Sequence, residues 1–150
     1  MTHLGRLVRL GPSTDPLTVL LRCHDSAGEL GLVEMAMAAG ASGPPLHVHP
    51  THGEGFYVLA GDLSFQVGDD IITGGAGTWV FAPRDTPHTL ANHGEQDGLL
   101  LCIFAPAGFE RRFERMLAET TGDAVPDALS EAEQATRLVG PPMRQPTRPG

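Results

Sequence analysis

Three of the chain's seven histidines lie within six residues of one another, and a glutamate follows them closely. The cluster consists of His47, His49, His52 and Glu54. Residues two apart on a β-strand project from the same face, so His47 and His49 can present both imidazoles to one point. Imidazole and carboxylate groups bind transition metals. The spacing therefore predicts a metal site.

Glu54 and one more histidine complete the predicted ligand set. An offset of five residues from His49 would turn Glu54 outward on an unbroken strand, but the turn-forming segment 50–53 can reset the alternation. His88, just after a proline-flanked turn, is the best-placed further ligand. Three imidazoles and one carboxylate leave octahedral positions open for a substrate. The metal would be Fe, Mn, Ni, Co, Cu or Zn.

The other histidines carry weaker signals. His52 has three interpretations: a further imidazole at the site, a donor to Glu54, or a solvated turn residue, and we favour the last. His3, His24 and His93 are each isolated in the sequence, and no role is predicted for them.

Composition narrows the range of functions. The chain has 150 residues and a net charge of −8, and all ten of its basic residues are arginine. Without lysine, Schiff-base chemistry and a phosphate-loop lysine are excluded. The negative charge disfavours nucleic acid and membranes as partners and favours a small-molecule substrate. No apolar run has the length of a signal peptide or a membrane span, so we expect a cytoplasmic protein.

Short apolar runs separated by glycine and proline predict an all-β domain, a sandwich or barrel. The cysteines, Cys23 and Cys102, form no C-x-x-C pair and are interpreted as small buried hydrophobic residues. The nine predicted strands are Arg6–Leu10, Leu17–Cys23, Leu30–Ala38, Leu46–His49, Gly55–Ala60, Leu63–Val67, Trp79–Ala82, Thr86–Asn92 and Leu99–Phe104.

The pattern changes after Pro106. Apolar residues from Phe109 to Leu117 recur at helical spacing, which predicts an amphipathic helix packed on the barrel, with the charged residues between them on a solvated face. A weaker helix is predicted over 130–138, where Ser130 and Glu133 form a capping box. Four prolines predict an extended or disordered tail. The predicted organisation is a barrel over 1–106, a helical segment over 107–140 and a tail over 141–150.

Two segments of the chain resemble the paired motifs of the cupin superfamily. The first has the pattern His47-x-His49-x4-Glu54-x6-Gly61. The second has the pattern Gly77-x5-Pro83-x-Asp85-x2-His88-x3-Asn92. Asp85 stands where the family usually has glycine, and aspartate tolerates the positive φ of such a turn better than most residues.

The resemblance implies a cupin-type barrel, that is, a double-stranded β-helix or jelly roll, with a C-terminal helical extension. It places one divalent transition metal inside, held by His47, His49, Glu54 and His88. An inward Glu54 would bring other side chains of its strand and of neighbouring strands into an apolar substrate pocket. These predicted substrate-binding residues are Met35, Met37, Phe56, Val58 and Leu90.

The stretches 47–61 and 105–109 are similar to small single-domain bacterial cupins related to quercetin dioxygenase. This similarity implies a metal-dependent dioxygenase acting on a small aromatic or enolic compound, with Glu54 as a catalytic base whose pKa the apolar pocket raises. Two alternatives stay open: a cyclase or isomerase acting on a polyketide-like or sugar-like intermediate, and a non-catalytic binding module. The family also implies a homodimer, formed through outer strands near Tyr57 or Trp79.

Overall fold

The computed structural model describes residues 14–124 and 128–143. It confirms the all-β prediction, with two five-stranded antiparallel sheets and a C-terminal helix. The first sheet has, in spatial order, β1 (Leu17–Leu21), β2 (Gly31–Met37), β9 (Gly98–Ala105), β4 (Gly53–Ala60) and β7 (Trp79–Ala82). The second sheet has β10 (Arg137–Pro142), β3 (Pro45–Val48), β8 (His88–Ala91), β5 (Leu63–Val67) and β6 (Asp70–Gly74).

The hydrophobic core lies between the two sheets. In β9 the side chains of Leu100, Cys102 and Phe104 are buried, while the alternate residues are partly exposed. Phe65 of β5 is fully buried in the same cluster, so the opposite sheet contributes to one common core. The period-two pattern of the strands therefore points one face of each sheet inward.

Eight of the nine predicted strands are present, and Arg6–Leu10 lies outside the described residues. β6 is absent from the nine predicted strands, because Asp69-Asp70 at its start and Gly74-Gly75 at its end are turn-forming pairs. Its β-branched residues Ile71, Ile72 and Thr73 pair with β5 although Ile71 is 67% exposed. At the edge of a sheet, backbone pairing and β-propensity are enough to form a strand without burial.

The C-terminal segment confirms one predicted helix and corrects another. The apolar residues at helical spacing begin at Phe109, just before α1 (Arg111–Thr121), and continue along this helix. The second helix, α2 (Glu131–Ala135), begins at the expected Ser130 capping box but does not reach Leu138. At Thr136 the backbone becomes extended, and β10 follows and pairs with β3.

β10 also corrects the predicted tail. Pro141 and Pro142 are part of this strand, although we expected prolines to keep residues 141–150 out of the sheet. β10 lies at the edge of its sheet, where the missing amide hydrogen of proline leaves no strand partner unsatisfied. Residues 144–150 lie outside the described part of the chain.

The outer face of the first sheet carries exposed aromatic rings. Tyr57 of β4 and Trp79 of β7 are register partners and are 39% and 53% exposed. This face is where the expected homodimer contact would lie, and the dimer stays a prediction. Within residues 14–124 and 128–143, no helix is both long and apolar enough to cross a membrane.

Gly43 sits at a close backbone approach just before β3. Its φ is +70°, and a Cβ atom there would lie 1.8 Å from the carbonyl oxygen of Leu90. We expect Gly43→Ala to destabilise the fold by more than the 1–3 kcal/mol, roughly, that backbone strain alone costs. Gly40→Ala is the matched control, because Gly40 has φ +78° but nothing within 4 Å of the added Cβ. Urea unfolding of both variants measures the difference, and equal losses would contradict the expected clash.

Candidate metal centre

Four buried side chains converge between the two sheets. They are His47, His49, Glu54 and His88, and their potential ligand atoms all lie within 4.8 Å of one another. His47 is on β3, Glu54 on β4 and His88 on β8, while His49 immediately follows β3. The structure therefore brings together all four residues that the sequence predicted as ligands.

Strand register explains the convergence. His47 and His88 are direct partners between β3 and β8, so their side chains share one face of the sheet. The chain leaves β3 after Val48 and enters β4 at Gly53, and this break lets Glu54 face inward despite its odd offset from His49. In the turn before His88, Asp85 adopts φ +61°, and its amide donates to the carbonyl of His49 over 3.1 Å. Aspartate thus replaces the family's glycine without loss of the turn.

Each imidazole is anchored through its Nδ1 atom. The Nδ1 of His47 donates to the carbonyl of Pro45 over 2.8 Å, and that of His88 donates to the carbonyl of Thr86 over 2.9 Å. The Nδ1 of His49 lies 2.8 Å from the Thr136 hydroxyl. The Nε2 atoms of His49 and His88 lie 3.1 and 2.8 Å from Oε2 of Glu54.

This donor set fits a metal cation. A neutral imidazole with its proton on Nδ1 offers only a lone pair at Nε2, and a carboxylate oxygen can only accept. Lone pairs that face one another in a buried site repel unless a proton or a cation lies between them. Nδ1 anchoring with Nε2 facing a metal is also the usual arrangement of histidine ligands. The four residues would hold the divalent ion predicted from the sequence.

The electrostatics of the centre correct one expectation. Burial alone raises the pKa of Glu54, but the hydrogen bonds from His49 and His88 outweigh it and hold this pKa below its ordinary value. We expected a raised pKa for a base in an apolar pocket, and the prediction is wrong because two imidazoles face the carboxylate. Burial lowers the pKa of His88, but the Glu54 carboxylate outweighs burial and raises it. Burial lowers the pKa of His47 to about 4.

His52 is not the solvated turn residue that we favoured. Its side chain is 1% exposed and stacks on His49 at a centroid distance of 4.3 Å. Burial, then the neighbouring His49, lower the pKa of His52 to about 3, so the ring is neutral. Thr51 contacts its Nδ1 at 2.8 Å. His52 therefore packs behind the ligand His49. Its Nδ1 pairs with Thr51 and its buried Nε2 has no hydrogen-bond partner, so His52 is not a donor to Glu54.

A cavity of about 530 Å³ opens from the centre. Its volume is within the range of small-molecule sites, about 300–1,000 Å³. His47 and Glu54 lie on its wall, together with three of the predicted pocket residues, Met35, Phe56 and Leu90. The other two, Met37 and Val58, are buried in the hydrophobic core and do not line this cavity. Substrate binding by these residues stays a prediction.

The C-terminal segment supplies much of the cavity wall, which the sequence did not indicate. Phe109 and Phe113 were predicted to be core residues, and they both pack on the core and line the cavity. The remaining wall residues from this segment are Arg112, Met116, Leu129, Glu133, Thr136 and Leu138. Cys102 also lines the cavity, and burial raises the pKa of its thiol, so it is neutral there.

The affinity of the centre for a metal should rise with pH. The raised pKa of His88 means that the metal-free centre holds a proton there above the ordinary histidine value of 6.5, and a metal must displace this proton. His47, with its pKa near 4, has no proton to lose above about pH 5. We expect the affinity for Zn(II) to rise with pH through 6.5 and to level off once His88 is deprotonated. Calorimetry at pH 6 and pH 8.5, in buffers of different ionisation enthalpy, measures affinity and proton release, and an affinity independent of pH would contradict this account.

Comparison with known proteins identifies the family of the barrel. Residues 33–104 match the family model described as a cupin domain, and this segment contains all four candidate ligands. This segment is a cupin domain. A comparison with curated proteins finds no match for the chain.

Several solved structures share the fold of this chain at low sequence identity. A predicted oxalate decarboxylase from Thermotoga maritima is 22% identical with a TM-score of 0.57, covering 60% of this chain and 78% of its own. KdgF from Halomonas sp. is 23% identical with a TM-score of 0.53, covering 63% and 84%. The polyketide cyclase RemF from Streptomyces resistomycificus is 24% identical with a TM-score of 0.52, covering 59% and 63%. Proteins that share this fold thus carry names from several reaction classes, so the fold does not decide the function and the site must do so.

Proposed function

We propose that this cupin is a metal-dependent enzyme of the dioxygenase type, acting on a small aromatic or enolic compound. The observation that carries the proposal is the buried His47, His49, Glu54 and His88 cluster at the wall of a mostly apolar cavity. A substrate of this class offers a hydroxyl or enol oxygen to the metal and an apolar body to the cavity. The sequence resemblance of the stretches 47–61 and 105–109 to small cupins related to quercetin dioxygenase favours the same reaction class.

The metal would supply Lewis acidity, which lowers the pKa of a coordinated hydroxyl, and, for a redox-active ion, reactivity toward dioxygen. The chain's own residues hold the substrate beside it. Phe56 and Leu90 face the cavity from the two sheets, and Phe109 faces it from the C-terminal segment. These side chains exclude water and orient a flat ring against the centre.

Glu54 has two roles in this proposal. Its lowered pKa makes it a weak base while its Oε2 faces His49 and His88, so it acts first as a ligand. Glu54 is also the one carboxylate of the cluster. Once its Oε2 moves away from the two imidazoles, this carboxylate can accept the proton of the substrate's hydroxyl group. A Glu54→Gln variant would lose both roles together.

A second candidate is a cyclase or isomerase that uses the same polarisation without dioxygen. The aromatic rings of Phe56, Phe109 and Phe113 around the cavity favour a flat, polycyclic body as well as a single ring. The fold that the chain shares with the polyketide cyclase RemF is compatible with this candidate.

The decisive experiment follows oxygen and substrate together. The protein is stripped with a chelator, reloaded separately with Fe(II), Mn(II), Ni(II) or Zn(II), and mixed with the flavonol quercetin. We expect oxygen uptake equal to substrate loss with at least one redox-active metal and none with Zn(II), since zinc has no redox chemistry. Product mass in ¹⁸O₂ then reports whether both oxygen atoms are incorporated.

Other outcomes separate the alternatives. Conversion of the substrate at the same rate without oxygen would support the cyclase or isomerase. Metal-dependent binding without any conversion would support a binding module and contradict the enzymatic proposal.

A further inference from the structure

The anchor of His49 differs from the anchors of the other two histidine ligands. His47 and His88 each donate from Nδ1 to the backbone carbonyl two residues before them. His49 instead contacts the side chain of Thr136, which is 87 residues further along the chain. One ligand of the metal centre is therefore held by the C-terminal segment.

The direction of this hydrogen bond is fixed by a second contact. The Thr136 hydroxyl donates to the carbonyl of Ala132 over 2.8 Å, and a carbonyl can only accept. Thr136 Oγ1 has no further proton, so it accepts from Nδ1 of His49. With Nδ1 engaged as the donor to Thr136, Nε2, which faces Glu54, is the ring nitrogen of His49 that is left to bind a metal.

Backbone pairing delivers Thr136 to this position. β10 runs antiparallel to β3, with Arg137 opposite Val48 and Leu138 opposite His47. Continuing the register by one residue brings Thr136 opposite His49. His49 lies just beyond β3, so its ring depends on side-chain contacts for its orientation.

The segment that carries Thr136 is itself fixed at several points. Ser130 and Glu133 form a reciprocal capping box at the start of α2. Arg115 of α1 donates to Glu133 over 3.2 Å, and the Ser130 hydroxyl donates to the carbonyl of Gly108 over 2.9 Å. Thr136 then ends α2 as its C-cap residue. A continuous series of contacts thus joins α1 to the ligand His49.

We propose that Thr136 is a positioning residue of the metal centre, which fixes the tautomer and ring orientation of His49 and so makes segment 130–138 part of the site. The inference rests on the metal centre of the proposed function. It adds that the metal affinity depends on a hydroxyl group outside the cupin motifs. Hydrogen-bond partners of this kind typically change metal affinity about 10–100-fold when they are removed.

The test uses Co(II) as the probe metal and three variants of the full chain. Thr136→Val removes the hydroxyl at nearly constant volume, and Thr136→Ser keeps it. Thr120→Val is the matched control, because Thr120 also donates from Oγ1 to the carbonyl four residues earlier but contacts no ligand. We expect Thr136→Val to bind Co(II) about 10–100-fold more weakly, with an altered visible spectrum, while Thr136→Ser and Thr120→Val resemble the wild type.

Three results would overturn the inference. Wild-type affinity and spectrum in a folded Thr136→Val protein would show that the hydroxyl does not position His49. Equal losses in Thr136→Ser and Thr136→Val would assign the effect to packing. Failure of the wild-type protein itself to bind Co(II) and Zn(II) would remove the proposed function as well, which distinguishes the two failures.

Discussion

His49→Ala and His88→Ala are each expected to abolish metal retention while the domain stays folded. Each substitution removes one of four ligands and one of the two imidazoles that face Oε2 of Glu54. Loss of a ligand should weaken binding by more than the roughly 100-fold upper range for a ligand's hydrogen-bond partner. Elemental analysis of protein purified without added metal measures the result, with calorimetric titration of Zn(II) for the affinity.

His24→Ala is the matched control for both variants. The His24 side chain is 75% exposed and lies outside the cluster, so its removal should change neither metal content nor affinity. Thermal unfolding of the metal-free proteins checks that His49→Ala and His88→Ala retain the fold. Undiminished metal in both folded variants would refute the ligand assignment.

Much of the barrel could be predicted because its strands obey a simple alternation. In β9 the buried hydrophobic residues are Leu100, Cys102 and Phe104, each two positions apart. β5 and β7 have the predicted bounds because turn residues lie close to them. Gly61 (φ +76°) and Gly68 (φ +58°) flank β5, and Gly77 (φ +88°) comes before β7. Local chemistry of this kind is visible in one sequence.

The metal ligands were also predictable, for a different reason. His47 and His49 are close in sequence, and a strand's geometry is sufficient to bring them together. His88 comes from a separate hairpin, and only its proline-flanked turn and the resemblance to a known motif pair indicated it. The register of His47 opposite His88 is the tertiary fact that completes the site.

Contacts between distant segments were the part that sequence patterns could not reveal. Glu110 and Arg115 were interpreted as members of a solvated helix face. Glu110 is fully buried and accepts from the amides of Cys23 and Gly108, and Arg115 pairs with Glu133. The pattern of charges along a helix shows which residues share a face. It does not show which groups those side chains contact, because the contacts depend on how the rest of the chain packs against the helix. The contact of Thr136 with His49 could not be predicted from the sequence either, since only the pairing of β10 with β3 brings the two residues together.

Phe104→Ala is expected to cost about 3–5 kcal/mol of unfolding free energy. Phe104 is fully buried on β9, and its ring lies 5.5 Å from Phe109 and 5.9 Å from Phe113, measured between centroids. It therefore joins the barrel core to the C-terminal segment. Truncation removes buried apolar surface and leaves a cavity that the rigid strand β9 cannot close. Urea unfolding of the metal-free protein measures the loss.

Phe81→Ala provides the comparison, because Phe81 is 51% exposed on the outer face of the first sheet. Its loss should be well below that of Phe104→Ala, and equal losses would contradict the assignment of Phe104 to the core that joins the two segments. The measurement must be made in chelator, since a bound metal stabilises the folded state by an amount that grows with its concentration relative to Kd. Repeating it with saturating Zn(II) then separates the two effects: if Phe104 only supports packing, metal stabilises Phe104→Ala as much as the wild type. A smaller gain in the variant would mean that the ring also holds His52, 5.7 Å away, and through it the stacked ligand His49.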